Sequence, residues 1–401
     1  MNDKILVVGA GASGLFCGGI LSQKGYDVTI IDGNEKCGKK IYITGKGRCN
    51  LTNNCSAQEY LNNVVHGEKF MMSAINGFNS QDTIAFFENL GMKTKTERGG
   101  RVFPESDKAS DVTKYLVKNA EKCKFILNEK VNDISVSAEG FKVTTDHGHY
   151  LFDKVIVATG GKSYPATGSK GDGYKFAKKL GLSVVNPRSA LAPIKIKDKF
   201  CSNLEGLSLK NVMLNCQISG RNKQLFGEML FTNDAISGPI ALSMSSYVAD
   251  AKDVKISIDF KPALTVEQLE KRLLNDFKEN LNKNITYIIK GLLPNRLVDV
   301  FLKRINLSGE TKVNSVTISQ RQAIIRCLKN FELTFDSIYP VESGIVTGGG
   351  IELKEINPKT MECKKIKNLY FIGEVLDVDC LTGGFNLQTA FSTAYACANN
   401  M

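Results

Sequence analysis

The sequence predicts an α/β fold in which both chain ends build one parallel-sheet domain and the middle of the chain is an insertion. Three observations predict it. Lys4 to Asp32 reads as strand, glycine turn, helix, strand and terminal acid. Residues 124 to 160 read as a strand meander closed by a second glycine turn. After a middle section of different texture, residues 343 to 399 return to apolar strands punctuated by glycine.

The first stretch carries the strongest signal. Ile5 to Val8 is a short apolar run of the kind found in buried strands. Gly9, Gly11 and Gly14 form GxGxxG ahead of a small-residue helix ending near Gly25, and a second apolar run ends on Asp32. Gly9 suits the tight turn, Gly11 a close backbone approach by pyrophosphate, and Gly14 close helix–strand packing. The helix start, with Ala12 and Ser13, offers free N–H donors and a positive dipole end. Asp32, followed by Gly33, suits a ribose 2′-hydroxyl and disfavours a 2′-phosphate, so the expected ligand is NAD or FAD rather than NADP.

The next loop sets Lys39, Lys40, Lys46 and Arg48 among glycines. Such a loop can fold over the pyrophosphate or a flavin ring, making Lys40, Gly47, Arg48, Cys49 and Asn50 candidates. Residues 56 to 122 read as helical with interruptions. One helical stretch runs from Lys69 to Leu90, Glu97 to Pro104 forms a turn into a strand, and Ser110 to Lys122 is amphipathic. The isolated His66 receives no role. Val131 to Phe152 alternates as a meander with Glu139-Gly140 and His147-Gly148 turns, where His147 and His149 are expected in solvent. Ala158, Thr159 and Gly160 follow the next strand and place backbone amides near a dinucleotide. GSKGDG, at 168 to 173, lacks the preceding strand and downstream acid of a second nucleotide loop.

From about residue 186 the texture changes. Residues 191 to 262 hold short alternating runs read as β-barrel-like, interrupted by a helix opening at Ser237-Gly238-Pro239. Residues 263 to 339 read as mostly helical, with Thr265 capping the first helix. This insertion is expected to cover the substrate. The flanks, 1 to 190 and 340 to 401, form the discontinuous dinucleotide domain. There Gly373 and Glu374 follow a buried strand, where a carboxylate can bind ribityl hydroxyls. Gly384, Phe385, Asn386 and Leu387 open a C-terminal helix whose start suits the N1–C2=O edge of a flavin. NAD would not need this second site and an extended flavin would, which selects FAD.

Composition narrows the function. The chain has 401 residues, 42% hydrophobic and 23% charged, as in globular proteins. No run of 18 apolar residues occurs, and the start carries no leader, so a cytoplasmic protein without a membrane span is expected. Eleven cysteines without a CxxC give no support to zinc or a redox pair. The net charge of +11 permits an anionic partner, but the lysines are spread. A small-molecule substrate is therefore expected ahead of nucleic acid, and no metal site is expected.

Taken together, GAGASG (9–14), GKGRCNLTN (45–53), ATGGKSYPATGSKGDGY (158–174), GEMLFTNDAISGPIAL (227–242) and GEVLDVDCLTGGFNLQTAFS (373–392) resemble a known family. They are similar to the bacterial BaiN-like or aminoacetone-oxidase-like FAD/NAD(P)-dependent oxidoreductases, across nearly the whole chain. The resemblance implies a Rossmann-like FAD-binding domain of the glutathione-reductase type, with a β-meander and an inserted β-barrel plus helical domain. It implies FAD contacts at Gly9, Gly11, Ala12, Ser13, Gly14, Asp32, Val131 (adenine, by backbone), Glu374, Asp377, Asn386 and Leu387. Where members carry His in an FTH segment this chain has Asn233, so no catalytic residue is carried over. The expected function is hydride transfer from transiently bound NADH or NADPH through flavin to a small organic acceptor. The alternatives are an oxidase or dehydrogenase of a small amine using O2, and an RNA-binding or RNA-modifying flavoprotein.

Overall fold

The computed structural model describes residues 3–218, 220–251 and 253–401. The chain divides into two compact units, Met1–Ala190 with Pro340–Met401, and Leu191–Tyr339.

In the first unit, five parallel strands form a sheet in the order Leu369–Phe371, Lys154–Val157, Lys4–Val8, Asp27–Asp32 and Lys124–Leu127. Apart from the partly exposed edge strand Lys124–Leu127, their apolar residues are inaccessible, as expected of parallel strands covered on both faces. The opening helix, Ala12–Gln23, is buried around most of its circumference, which explains why its apolar residues do not form a stripe. It packs on the C-terminal helix, Phe385–Asn399. Phe16 lies 4.6 Å from Phe86 and 5.3 Å from Phe391, ring centre to ring centre. A three-stranded meander, Val131–Ser137, Gly140–Thr145 and His149–Phe152, precedes the strand Lys154–Val157.

The register puts the glycine turns together. Val8 pairs with Ile31 and Val157, and Val157 pairs with Phe371. The strands are parallel, so Gly9, Asp32, Ala158 and Gly373 all leave the sheet at its carboxyl edge. That edge is where open α/β sheets bind ligands.

One expectation is corrected. The stretch Lys69–Leu90 is two helices, Glu68–Gly77 and Ser80–Asn89. Asn79 breaks it by taking extended backbone and capping the second helix, with Asp82 completing a reciprocal capping box. In the second unit, the helices after residue 263 end at Lys329 and strands follow. Phe331–Leu333 and Phe335–Ile338 are strands. They form the two edges of a seven-stranded antiparallel sheet that also contains Ile194–Ile196, Ser208–Ile218, Arg221–Phe231, Ala235–Ser237 and Val254–Asp259. Only Thr334 separates the two edge strands, and one residue spans only a few ångströms. The sheet therefore curls until its edges meet at that corner, which gives a barrel-like shape. The helix Pro239–Val248 and the helices between Val266 and Lys329 complete this unit's separate core.

Candidate functional site

The glycine turn is built by contact. A Cβ on Gly14 would sit 2.0 Å from the Gly9 carbonyl oxygen, so only glycine lets the opening helix reach the first strand. Gly9 (φ +110°) packs on the Ala158 carbonyl in the same way. Gly11 has ordinary backbone angles, and a Cβ there would meet nothing within 4 Å. The space above Gly11 is open, while no side chain caps the helix and no acid occupies its first turn. Free N–H groups of the first turn, including those of Ala12, Ser13 and Gly14, thus face open space beside a positive dipole end.

Asp32 stands at the edge of this cradle. Its Oδ2 accepts from the Ala10 N–H at 2.7 Å, and its Oδ1 accepts from the Asn34 N–H and Nδ2, each at 2.8 Å. A carboxylate has about four acceptor positions, so one stays available to a hydroxyl. Gly33 follows in the same loop. Asn128 and Glu129 donate from their backbones to the Asn34 and Asp32 carbonyls, which brings the buried Val131 to this loop. Ala158, Thr159 and Gly160 continue the carboxyl edge, and the buried Thr159 hydroxyl has no hydrogen-bond partner.

The second glycine site lies in the same unit. Gly384 (φ +99°) precedes the C-terminal helix, and a Cβ there would meet the Thr52 carbonyl oxygen at 2.3 Å. This helix too has no side-chain cap. The buried Asn50 Oδ1 lies beside Gly384 and has no partner. Gly47 (φ +84°) and Cys49 (φ +59°) turn the preceding loop. Cys49 is fully buried, which pushes its thiol up to about 12 and makes it a packing residue rather than a nucleophile.

Four of the predicted contact residues already have protein partners. Glu374 accepts from Lys40 Nζ at 2.8 and 3.0 Å, from the Ser163 hydroxyl at 3.1 Å and from the Thr347 N–H at 2.9 Å. Glu374 thus clamps three segments, with Oε1 taking three of these contacts and Oε2 only that of Lys40, so an acceptor position on Oε2 remains. Arg48 does not reach over a phosphate. Its guanidinium binds Glu97 and Asp107 and lies 4.2 Å from the Phe103 ring centre. Asn386 spends its amide on its own loop, accepting from the Cys380 N–H and donating to the Cys380 carbonyl, both at 3.0 Å. Gly373 packs against Ser13, and Phe385 and Leu387 stand in the first turn of the C-terminal helix.

Sequence reasoning missed a cluster. His66 Nδ1 lies 2.6 Å from Asp379 Oδ1, and Arg188 bridges Asp379 and Asp377 at 3.3 and 3.7 Å. Asp377 is held above the usual carboxylate range, first by burial, against the opposing pull of Arg188 and His66. No spacing links residues 66, 188 and 379; strand pairing joins His66 to Asp379, and an ion pair brings in Arg188. His147 is mostly exposed, 3.5 Å from Glu129. Among the described residues no group of His, Cys, Asp or Glu is arranged to hold a metal ion, and no helix is long and apolar enough to cross a membrane. A cavity of about 630 Å³ lies in the second unit, lined by Arg304, Arg326 and Lys329, and contains none of the glycine-turn residues.

The parallel sheet, the glycine turn over its carboxyl edge and the meander define a Rossmann-type FAD-binding fold of the flavin-dependent oxidoreductase class. The HI0933-like protein Rossmann domain family matches residues 3–400, and the chain belongs to that family. It is 32% identical to a ribosomal RNA dihydrouridine synthase of Haemophilus influenzae, covering 98% of this chain and 97% of the relative. The synthase of the same description from Escherichia coli is also 32% identical, over 99% and 97%. The 3-dehydro-bile acid Δ(4,6)-reductase of Clostridium scindens is 30% identical, over 98% and 97%. Among solved structures, the 3-ketosteroid-Δ4-(5α)-dehydrogenase of Rhodococcus jostii RHA1 has the same fold, with TM-score 0.51 and 14% identity over 99% of this chain and 97% of that one.

Proposed function

We propose that this chain is an FAD-dependent reductase that saturates a carbon–carbon double bond conjugated to a carbonyl, using NADH or NADPH as donor. The observation that carries the reading is the pair of uncapped helix N-termini in one unit, above Gly11 and above Gly384. The residues fit the cofactor. Gly9, Gly11, Ala12, Ser13 and Gly14 would hold the pyrophosphate, Asp32 the ribose and the Val131 backbone the adenine. Asn50 and the N–H groups of Phe385 to Leu387 would face the flavin ring. FAD supplies hydride transfer when bound. The protein supplies binding, orientation and a donor-lined edge that stabilises negative charge on the reduced ring.

The relatives support the substrate class. Dihydrouridine is uridine with two hydrogens added across a ring double bond beside a carbonyl. An unsaturated 3-oxo bile acid presents the same electron-poor alkene. Uridine in ribosomal RNA is the first substrate we assign, because two relatives carry that description. A small enone is the second, favoured by the Clostridium relative.

The test is anaerobic. The FAD-loaded protein is mixed with NADH or NADPH, and flavin absorbance is followed. The reduced protein is then mixed with a ribosomal RNA transcript or with a 3-oxo-4-ene steroid. Reoxidation by the transcript, with two hydrogens gained at a uridine by mass spectrometry, supports the first assignment. Reoxidation by the steroid alone supports the second. A protein that binds no FAD, or whose flavin neither nicotinamide reduces, refutes the reading.

A further inference from the structure

We propose that His66 is the proton donor of this reduction, with Asp379 and Arg188 as its positioning residues. The proposal deepens the reading above and rests on it.

The geometry is that of a proton carrier. Val64–His66 runs antiparallel to Asp379–Cys380, with His66 opposite Asp379. Asp379 is wholly buried, whereas the His66 side chain is 40% exposed. One ring nitrogen is therefore tied to a buried carboxylate while the rest of the ring meets the open side. A carboxylate accepting from Nδ1–H fixes the tautomer and leaves Nε2 to gain and lose the proton. Asp379 is itself held. Arg188, 11% exposed, approaches its Oδ1 at 3.3 Å. Arg188 lies flat on Gly348, where a Cβ would come within 3.1–3.2 Å of its Cγ, Nε and Cζ. The second carboxylate oxygen, Oδ2, is buried without a hydrogen-bond partner. The charged groups around the imidazole are thus Asp379, Asp377 and Arg188.

The pair is also tied to the segment that leads into the proposed flavin-edge site. Asp379 lies between Glu374 and Gly383-Gly384 in the chain. The Asn386 amide joins Cys380, the neighbour of Asp379, to the first turn of the C-terminal helix. The Leu381 N–H donates to the Asn63 carbonyl at 2.9 Å, and a Cβ on Gly67 would meet Val378 at 2.8 Å. His66 is therefore locked to the segment that opens the proposed flavin-edge site.

The step balances. The hydride, which originates from the nicotinamide donor, adds to the alkene carbon remote from the carbonyl. The electron pair of the double bond moves to the carbon beside the carbonyl. That carbon takes the proton from Nε2 of the His66 imidazolium. A neutral imidazole results, still donating Nδ1–H to Asp379, and it is reprotonated from solvent through its exposed side.

The test separates the half-reactions in the full-length, FAD-loaded protein, using H66Q, D379N and, as control, H147Q. Flavin reduction by the nicotinamide involves no proton transfer to substrate and is expected to continue in H66Q. Reoxidation by the rRNA transcript or the 3-oxo-4-ene steroid is expected to slow ~100-fold or more, the usual range for a lost general acid. H147Q is expected to match the wild type in both. Nitrogen-15 spectra of the cofactor-free protein give a second readout. The chain has only three histidines, so the His66 signal is assigned by its loss in H66Q. A slowly exchanging Nδ1 proton is expected in the wild type and absent from D379N. If H66Q is reoxidised as fast as the wild type, His66 is not the donor. If both half-reactions fall together, or FAD is lost, the pair is a structural pin and the proposal is overturned. If neither nicotinamide reduces the wild type, the reductase reading fails first and the proposal falls with it.

Discussion

Two glycines three residues apart in the same motif, Gly11 and Gly14, predict opposite outcomes when changed to alanine. At Gly14 the new methyl would sit 2.0 Å from the Gly9 carbonyl oxygen, 3.1 Å from its carbon and 3.2 Å from Val7 Cγ1. The obstacle is backbone, which no rotamer change relieves. The opening helix would have to back away by about 1.4 Å to restore ordinary contact, disturbing a close-packed core at a cost of about 1–3 kcal/mol. At Gly11 the φ is −85° and the methyl meets nothing within 4 Å. Folding should tolerate that change or gain ~0.4–1 kcal/mol from a less flexible unfolded chain. The methyl would instead fill the space assigned to the pyrophosphate, weakening FAD binding at least ~10-fold, about 1.4 kcal/mol. Urea unfolding of the cofactor-free proteins and FAD titration of each measure the two quantities separately. G14A unfolding together with the wild type would refute the close-approach argument. G11A binding FAD as tightly as the wild type would refute the phosphate cradle.

Three further outcomes are expected. Thr265→Ala removes one half of a reciprocal capping box with Gln268, and urea unfolding should show a loss of about 1 kcal/mol in the second unit. Asp377 is held above the usual carboxylate range by burial, so the folded chain binds a proton there more tightly than the unfolded chain does. Its contribution to stability therefore declines as pH rises from the ordinary carboxylate range through the raised value, and Asp377→Asn should flatten unfolding curves across that window. Of the eleven free thiols only Cys37 and Cys55 are not buried. An aromatic disulfide reagent should therefore modify at most two thiols in the folded protein, both slowed because burial raises them, and the other nine only on unfolding; loss of Cys49 or Cys380, both pushed up to about 12, before unfolding would contradict the packing described.

Much of the fold is legible because it rests on local rules. GxGxxG, an apolar run on either side and a closing acid describe one βαβ unit within a short stretch. The turn glycines of the meander and the Thr265 cap are equally local. The break at Phe78-Asn79 was readable in principle, since Asn followed three residues later by Asp is a capping pattern, but the apolar spacing on both sides runs through it. The strands at 331–338 were hidden for a different reason. They are three and four residues long, too short for a period to declare itself, and they exist because a sheet edge is there to receive them.

The candidate site divides along the same line. Residue type and spacing by themselves determined where backbone would be bare: the turns at Gly9, Gly11 and Gly14 and the start of the C-terminal helix. These are properties of glycine and of helix ends, independent of distant partners. Only the tertiary structure decided what the charged side chains do. Arg48, Lys40, Glu374 and Asn386 carry the chemistry of cofactor ligands, yet the first three are engaged by neighbours that folding brings from elsewhere in the chain and Asn386 by its own loop. His66 had no signal in its surroundings and gains its buried carboxylate from a strand 313 positions away. A polar side chain inside a protein bonds to whichever complementary group lies within reach, because leaving it unpaired costs more than almost any pairing. Which group lies within reach is a property of the fold.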